Sequence, residues 1–379
     1  MKSSFPFFAT CFGSPGVFTG TLFFARSRVP GPVDLTYHCG MADTPYERFR
    51  NLTGSPHFLT VAKPERVREY LAELDFLIPG EEVLQVAPAG EGNMNVTLRV
   101  ISNRRQFIVK QSRPWVAKFP NIEAPLSRIL VERHFHQAVA GDHFLLGRMP
   151  EILRADARNF VLILEDLGLV PDMSSIYQAG EDISRTQLAT LLHFASRLHH
   201  LKVQEFADNR DLKLLNHRHI FDLPFRADNG FPLDAIYPGL AAVALPFQHD
   251  ERLREVAREL GELYLTKGTV LIHGDYYPGS FLTTEKRVFV IDAEFAHLGR
   301  PEFDIGVLMA HLLMSRAAEK RILQIDTDYA KPPGFDVALA RRFCYVEIIR
   351  RIIGIAQLPI SLSLDERKQL LERSRAGLL

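Results

Sequence analysis

The feature that most constrains this chain is a change in its hydrophobic period. "NVTLRVI" (95–101) and "QFIVKQ" (106–111) are short strand-like runs, and Ser102 and Asn103 between them predict an antiparallel hairpin. A further strand is expected around Val83 to Val86. "SRILVERHFHQAVA" then sets Ile129, Leu130, Val131, Phe135 and Val139 at helical spacing, and strand candidates return around Ile152 and in "NFVLILEDLG". Beyond Gly180 the period is helical: "DISRTQLATLLHFASRLHHLK" has one apolar face through Leu188, Leu191, Leu192, Ala195 and Leu198. Further helices are expected over Glu251 to Leu265, Ile305 to Ser315, Phe335 to Gly354 and Leu364 to Leu379. Upstream, "PERVREYLAELDFL" from Pro64 predicts a helix burying Val67, Tyr70, Leu71, Leu74 and Leu77, closed by Pro79-Gly80. The expectation is an α+β fold of two lobes. A small antiparallel sheet occupies residues 41–166, a mainly helical lobe occupies 167–379, and they meet near Asp166 to Gly168.

Composition narrows the partner. The 379 residues carry 45 basic and 45 acidic side chains, so no net field favours nucleic acid or an anionic membrane surface, and a small molecule is expected. Cys11, Cys39 and Cys344 are too scattered for a disulfide framework or a zinc site, which fits a reducing, cytosolic setting. Residues 1–40 are rich in Phe and Gly with Asp34 as the sole acid. They are read as a disordered or targeting extension, or as upstream of a true start at Met41, and are set apart from the fold. Gly13, Gly16 and Gly20 break their apolar runs, so no membrane span is expected there.

Chemistry-bearing groups follow in a fixed order. "AGEGNMN" (Ala89 to Asn95) places Gly90, Gly92 and Asn93 between two strands, where glycine lets backbone N–H groups approach phosphate oxygens; a plain hairpin turn fits it as well. It returns into a strand, so it is not a Rossmann fingerprint. Lys110 ends an apolar strand and Glu132 lies in the next helix, the combination with which kinases grip nucleotide phosphates. Two short strands in the helical half, "TVLIH" and "RVFVIDAEF", run into Asp275 of "HGDYYPGS" and into Asp292 and Glu294. If the strands are neighbours, they aim all three acids into one cleft. One carboxylate there can orient a hydroxyl and accept its proton, and two more can hold Mg²⁺ against phosphates. Singly, each is also what a turn acid or a strand-end lysine looks like.

Taken together, the glycine loop, Lys110, Glu132, "LILEDLG", "RLHHL", "HGDYYPGS" and "VIDAEFAHLGRPEFDIG" resemble the aminoglycoside phosphotransferase and choline kinase superfamily over about Leu84 to Ser315. Within it, "GEGNMN" followed by "FIVKQSRPWV", the H-G-D-x-x-x-G-S loop and Asp-x-Glu are most similar to the methylthioribose kinases. The resemblance implies a protein-kinase-like fold with ATP as co-substrate and a small alcohol as acceptor, here the anomeric hydroxyl of 5-methylthioribose in methionine salvage. It implies that Asp275 is catalytic and contacts the acceptor, and that Asp292 and Glu294 bind Mg²⁺. Lys110 would contact phosphates with Glu132 as anchor, the backbone of Glu165, Asp166 and Leu167 would bind adenine, and Arg350 and Arg351 would contact the sugar. It also suggests a homodimer. Ser280 stands where the wider superfamily has a metal-binding asparagine, and Tyr276 and Tyr277 replace the usual Leu and His, expected beside the acceptor pocket. Another sugar, choline, homoserine or an aminoglycoside as acceptor, or a nucleotide-binding pseudokinase, are the rival readings.

Overall fold

Why the sheet carries a lysine into its interior follows from strand alternation. The computed structural model describes residues 44–90, 94–284 and 287–379; the extension 1–40 and the pair Gly92 and Asn93 lie outside the described residues. After helices α1 (Pro45–Thr53) and α2 (Pro64–Glu73) come β1 (Val83–Pro88), β2 (Val96–Ser102), β3 (Gln106–Gln111) and the small hairpin β4 (Trp115–Val116) and β5 (Phe119–Glu123). Helices α3 (Arg128–Val139) and α4 (His143–Leu146) precede β6 (Ile152–Asp156) and β7 (Val161–Glu165). A five-stranded antiparallel sheet forms in the order β1-β2-β3-β7-β6.

Successive side chains leave opposite faces of a strand. Phe107, Val109, Val161 and Ile163 therefore pack with Val67, Tyr70 and Leu71 of α2 on one face. Ile108, Leu162 and Leu164 meet Ile129 of α3 on the other. Lys110 pairs with Leu162 across β3 and β7, so it points to the α3 face. Helix α2 stops at Glu73, short of the expected Pro79-Gly80, because Asp75 turns left-handed at φ 49. Leu74 and Leu77 still pack against the same core from the loop.

The helical lobe contains α5 (Arg185–His200), α6 (Arg210–His217), α7 (Leu233–Ile236), α8 (Leu240–Gln248) and α9 (Glu251–Leu265). It continues through α10 (Pro301–Met314), α11 (Glu319–Asp328), α12 (Val337–Ile353) and α13 (Leu364–Leu378). Helix α10 is buried almost all round, the mark of a central core helix. It lies so close to α12 that a Cβ on Gly306 would come within 2.5 Å of the Ala340 carbonyl oxygen. Two two-stranded sheets, β8 (Val270–Ile272) with β11 (His297–Gly299) and β9 (Phe281–Thr283) with β10 (Val288–Val290), lie among these helices. Strands β8 and β10, which precede the acids, are thus not hydrogen-bonded neighbours; the loops after them are joined by other means. No helix among the described residues is long and apolar enough to cross a membrane.

Candidate active site

The loop after β8 is built on one buried carboxylate. The backbone N–H groups of His273 and Gly274 donate to Asp304 Oδ2 and Oδ1 at 2.7 and 2.9 Å, and His199 Nε2 stands 3.1 Å from Oδ2. Asp304 lies in the first turn of α10, a favourable place for a negative charge. Burial would raise its carboxyl, but the His199 contact and the backbone donors hold it below the usual range. Gly274 has φ 82, and a Cβ there would lie 2.3 Å from the Phe295 carbonyl oxygen, so the position admits only glycine. His273 Nε2 bonds to the Ile291 carbonyl at 3.0 Å, and this bond ties the Asp275 loop to the Asp292 loop in place of strand pairing.

Asp275 emerges from this turn with its side chain 23% exposed. Its backbone carbonyl accepts from Ser280 Oγ at 2.9 Å. Ser280 is thereby committed to the loop. Burial pushes the Asp275 carboxyl up to about 6 against the pull of Arg351 and Arg350. Arg351 Nη2 stands 3.6 Å from Asp275 Oδ1, and its guanidinium lies over the Tyr277 ring at 4.8 Å.

Expectation for the two tyrosines divides here. Tyr277 borders the site as expected. Tyr276 does not: it is fully buried, stacks with Phe194, meets Phe281 edge to face, and donates its hydroxyl to the Leu191 carbonyl at 2.7 Å. The Tyr277 N–H bonds back to the Asp275 carbonyl at 3.1 Å, a tight turn about Tyr276 that sends the two tyrosines different ways.

Asp292 has a left-handed backbone, φ 63, which turns its side chain back toward the sheet. Lys110 Nζ reaches Glu132 Oε2 at 2.5 Å and also bonds Asp292 Oδ1. The first contact was expected from sequence and the second was not. Burial opposes the ammonium, yet Asp292, Glu132 and Glu294 outweigh it and hold Lys110 well above the lysine range. Glu294 is buried, and its Oε2 accepts from Asn95 Nδ2 at 2.7 Å and stands 3.3 Å from Arg128 Nε. Burial raises its carboxyl despite Lys110 and Arg128.

Asn95 and Arg128 were not singled out from the sequence. Arg128 is fully buried and also donates to the carbonyls of Met94, Arg113 and Pro125, so it welds the glycine-loop exit, the segment after β3 and the start of α3 together. Three carboxylates, Glu132, Asp292 and Glu294, face two cations, Lys110 and Arg128. The negative charge left over and the hard oxygen donors of Asp292 and Glu294 fit a Mg²⁺ ion, which takes one or two protein carboxylates and completes its shell with phosphate and water. Among the described residues no group of three or more His, Cys, Asp or Glu forms a metal cage.

The remaining expected residues also have definite places. Gly90 sits at φ 96, a conformation that favours glycine. Asp166 does not offer its side chain to a ligand: it forms a bidentate pair with Arg99 at 2.7 and 3.0 Å and accepts from the Gly168 N–H at 2.9 Å. Arg99 also donates to the Gly168 carbonyl, clamping the turn to β2. The Glu165 N–H is taken by the Glu151 carbonyl, whereas the Leu167 backbone makes no hydrogen bond to the described residues. A separate cavity of about 260 Å³ lies between α10, α11 and α12, lined by Met309, Ile325, Phe335 and Cys344 among others. It contains none of these groups, so charge and geometry rather than concavity mark the site.

Comparison with known proteins places this arrangement. The chain is 26% identical over 345 residues to the methylthioribose kinase of Exiguobacterium sibiricum, covering 79% of this chain and 87% of that protein. It is 25% identical over 255 residues to methylthioribose kinase 2 of Oryza sativa subsp. japonica, covering 62% and 57%. Among solved structures, choline kinase LicA from Streptococcus pneumoniae aligns at a TM-score of 0.48 with 14% identity, covering 84% of this chain and 99% of that one. Residues 98–341 match the model of the phosphotransferase enzyme family, APH; that span holds Lys110, Glu132, Asp275, Asp292 and Glu294, and the chain belongs to this family.

Proposed function

We propose that the protein is an ATP- and Mg²⁺-dependent kinase that converts 5-methylthioribose to 5-methylthioribose 1-phosphate, a step of methionine salvage. The observation that carries the acceptor reading is the charge balance at Asp275. Arg350 and Arg351 face Glu347 and Asp275, two cations against two carboxylates. A choline-like or aminoglycoside acceptor needs an acidic pocket and an anionic acceptor a basic one, so a neutral sugar fits best. The likeness to methylthioribose kinases supports the same choice.

In this reading the ionised Asp275 carboxylate orients the anomeric hydroxyl and takes its proton. The hydroxyl oxygen bonds to the γ-phosphorus as the bond to the β–γ bridging oxygen breaks, and ADP leaves with that oxygen. Lys110, steered by Glu132, contacts the nucleotide phosphates, and the Leu167 backbone offers adenine its free donor and acceptor. Asp292 and Glu294 would hold Mg²⁺, whose contribution is to neutralise phosphate charge.

A coupled ADP-release assay on the full chain with Mg·ATP tests this, comparing 5-methylthioribose with ribose, choline, homoserine and an aminoglycoside. Selective turnover of 5-methylthioribose is expected. Selective turnover of choline or the aminoglycoside would overturn the charge-balance argument, and nucleotide binding without turnover of any acceptor would favour a pseudokinase.

A further inference from the structure

A buried carboxylate one turn before the arginine pair organises the acceptor end. Glu347 of α12 is 1% exposed. It accepts Arg350 Nη1 at 2.8 and 3.0 Å on its two oxygens and Arg351 Nε at 2.6 Å. His311 of α10 faces the same carboxylate at 3.3 Å through Nε2, and its Nδ1 is 2.6 Å from the Tyr177 hydroxyl. Burial pushes His311 down to about 4, so it is neutral at pH 7. With Nε2–H donating to Glu347, Nδ1 accepts from Tyr177, which leaves both ring nitrogens of His311 satisfied. The spacing 347, 350, 351 puts all three side chains on one face of a helix. These positions lie beyond the residues matched by the family model.

Arg351 is held at both ends. Its Nε is fixed by Glu347 while its Nη2 stops 3.6 Å from Asp275, longer than a charge-assisted hydrogen bond. Tyr277 covers the guanidinium face. Besides Glu347, Arg351 has only a long Nη1 bond to the Ala356 carbonyl, 3.3 Å, so without Glu347 its Nη2 is free to swing onto Asp275 as a direct ion pair and occupy the atom that must meet the acceptor.

We propose that Glu347 is the positioning residue of the acceptor end, keeping Arg350 and Arg351 reaching toward Asp275 without capturing it and keeping that end electrically neutral. The proposal rests on the reading of Asp275 and the arginines as the acceptor end. Its test is therefore chosen to give an answer even if 5-methylthioribose is not the acceptor.

Glu347→Gln preserves shape and removes the charge. With whichever acceptor the wild type turns over, kcat/KM for that acceptor should fall about 100-fold, the scale of a 1 Å misplacement, while the KM for ATP stays unchanged. Two arginines then face only Asp275, so the variant should gain an anion site. Millimolar sodium sulfate should raise its Tm more than that of the wild type, a comparison that subtracts any sulfate bound near Lys110. The double variant Glu347→Gln/Arg350→Gln should lose this gain. Glu347→Asp keeps the charge on a shorter arm and should lose about tenfold in acceptor kcat/KM without acquiring the sulfate response. If Glu347→Gln does not fold, Glu347→Asp decides by its kcat/KM. Equal sulfate responses in variant and wild type, or wild-type kcat/KM in Glu347→Asp, overturn the proposal.

Discussion

Asp304 offers a prediction whose size can be worked from the structure. Asp304→Ala would orphan two buried backbone donors, the N–H groups of His273 and Gly274. Each orphan costs about 1–3 kcal/mol, so the loss of stability should be about 2–6 kcal/mol. Asp304→Asn keeps one carbonyl oxygen for one donor and should cost roughly half as much. Both should lower kcat by about 100-fold, because Asp275 rides on the turn these bonds fix. Urea denaturation followed by circular dichroism gives the first number and steady-state kinetics the second. The Asp304 carboxyl is held below its usual range, so its contribution to stability is full above the unfolded value of about 4 and is lost as pH falls through the folded one. The stability gap between wild type and Asp304→Asn should accordingly narrow below about pH 4. An Asp304→Asn protein within about 0.5 kcal/mol of wild type with unaltered kcat would refute the claim that this carboxylate builds the loop.

Acceptor kcat/KM should decline as pH drops through about 6, where Asp275 takes up a proton; a profile flat from pH 5 to 8 would remove Asp275 as the proton acceptor. Tyr276→Phe should cost about 0.5–1.5 kcal/mol of stability, from the bond to Leu191, and leave acceptor KM unchanged, whereas Tyr277→Ala should raise it. A raised KM in Tyr276→Phe would contradict its core position. Lys110→Met strands the buried Glu132 and should destabilise the fold by about 3–5 kcal/mol. Adding Glu132→Gln should recover part of that loss in a double-mutant cycle, and strict additivity would deny the pair.

Much of this architecture could be read from hydrophobic period. The β2–β3 hairpin, α3, α5, α9, α10, α12 and α13 fall where spacing puts them, α11 was not foreseen, and strand alternation alone carries Lys110 to the face that Glu132 occupies. What escaped the reading was polar and long-range. Asn95 and Glu294 are 199 positions apart, and Asp304 meets the loop it supports from 30 positions away. A buried polar residue has no periodic signature, since its partner is chosen by tertiary folding. Tyr276 escaped for a different reason: loop residues lack a period that would say which side chain turns inward.

Asp275 and the pair Asp292 and Glu294 are held by different parts of the chain, which leaves them free to do different work. Asp275 sits on a turn braced from α10 by Asp304 and is faced by the α12 arginines, so its ionisation answers to the acceptor end. Asp292 and Glu294 are held from the sheet lobe, by Lys110 of β3 and by Asn95 and Arg128. The Lys110 and Asn95 contacts to the Asp292 loop are ionic and hydrogen-bonded and exchange for phosphate or water at a small net cost, while the apolar packing of α3 on Ala293 keeps the loop in place. On the proposed function, a nucleotide would take over Lys110 from Asp292 while the bonds from Asp304 to His273 and Gly274 stay made, so that filling the phosphate end would not by itself unmake the turn that carries Asp275.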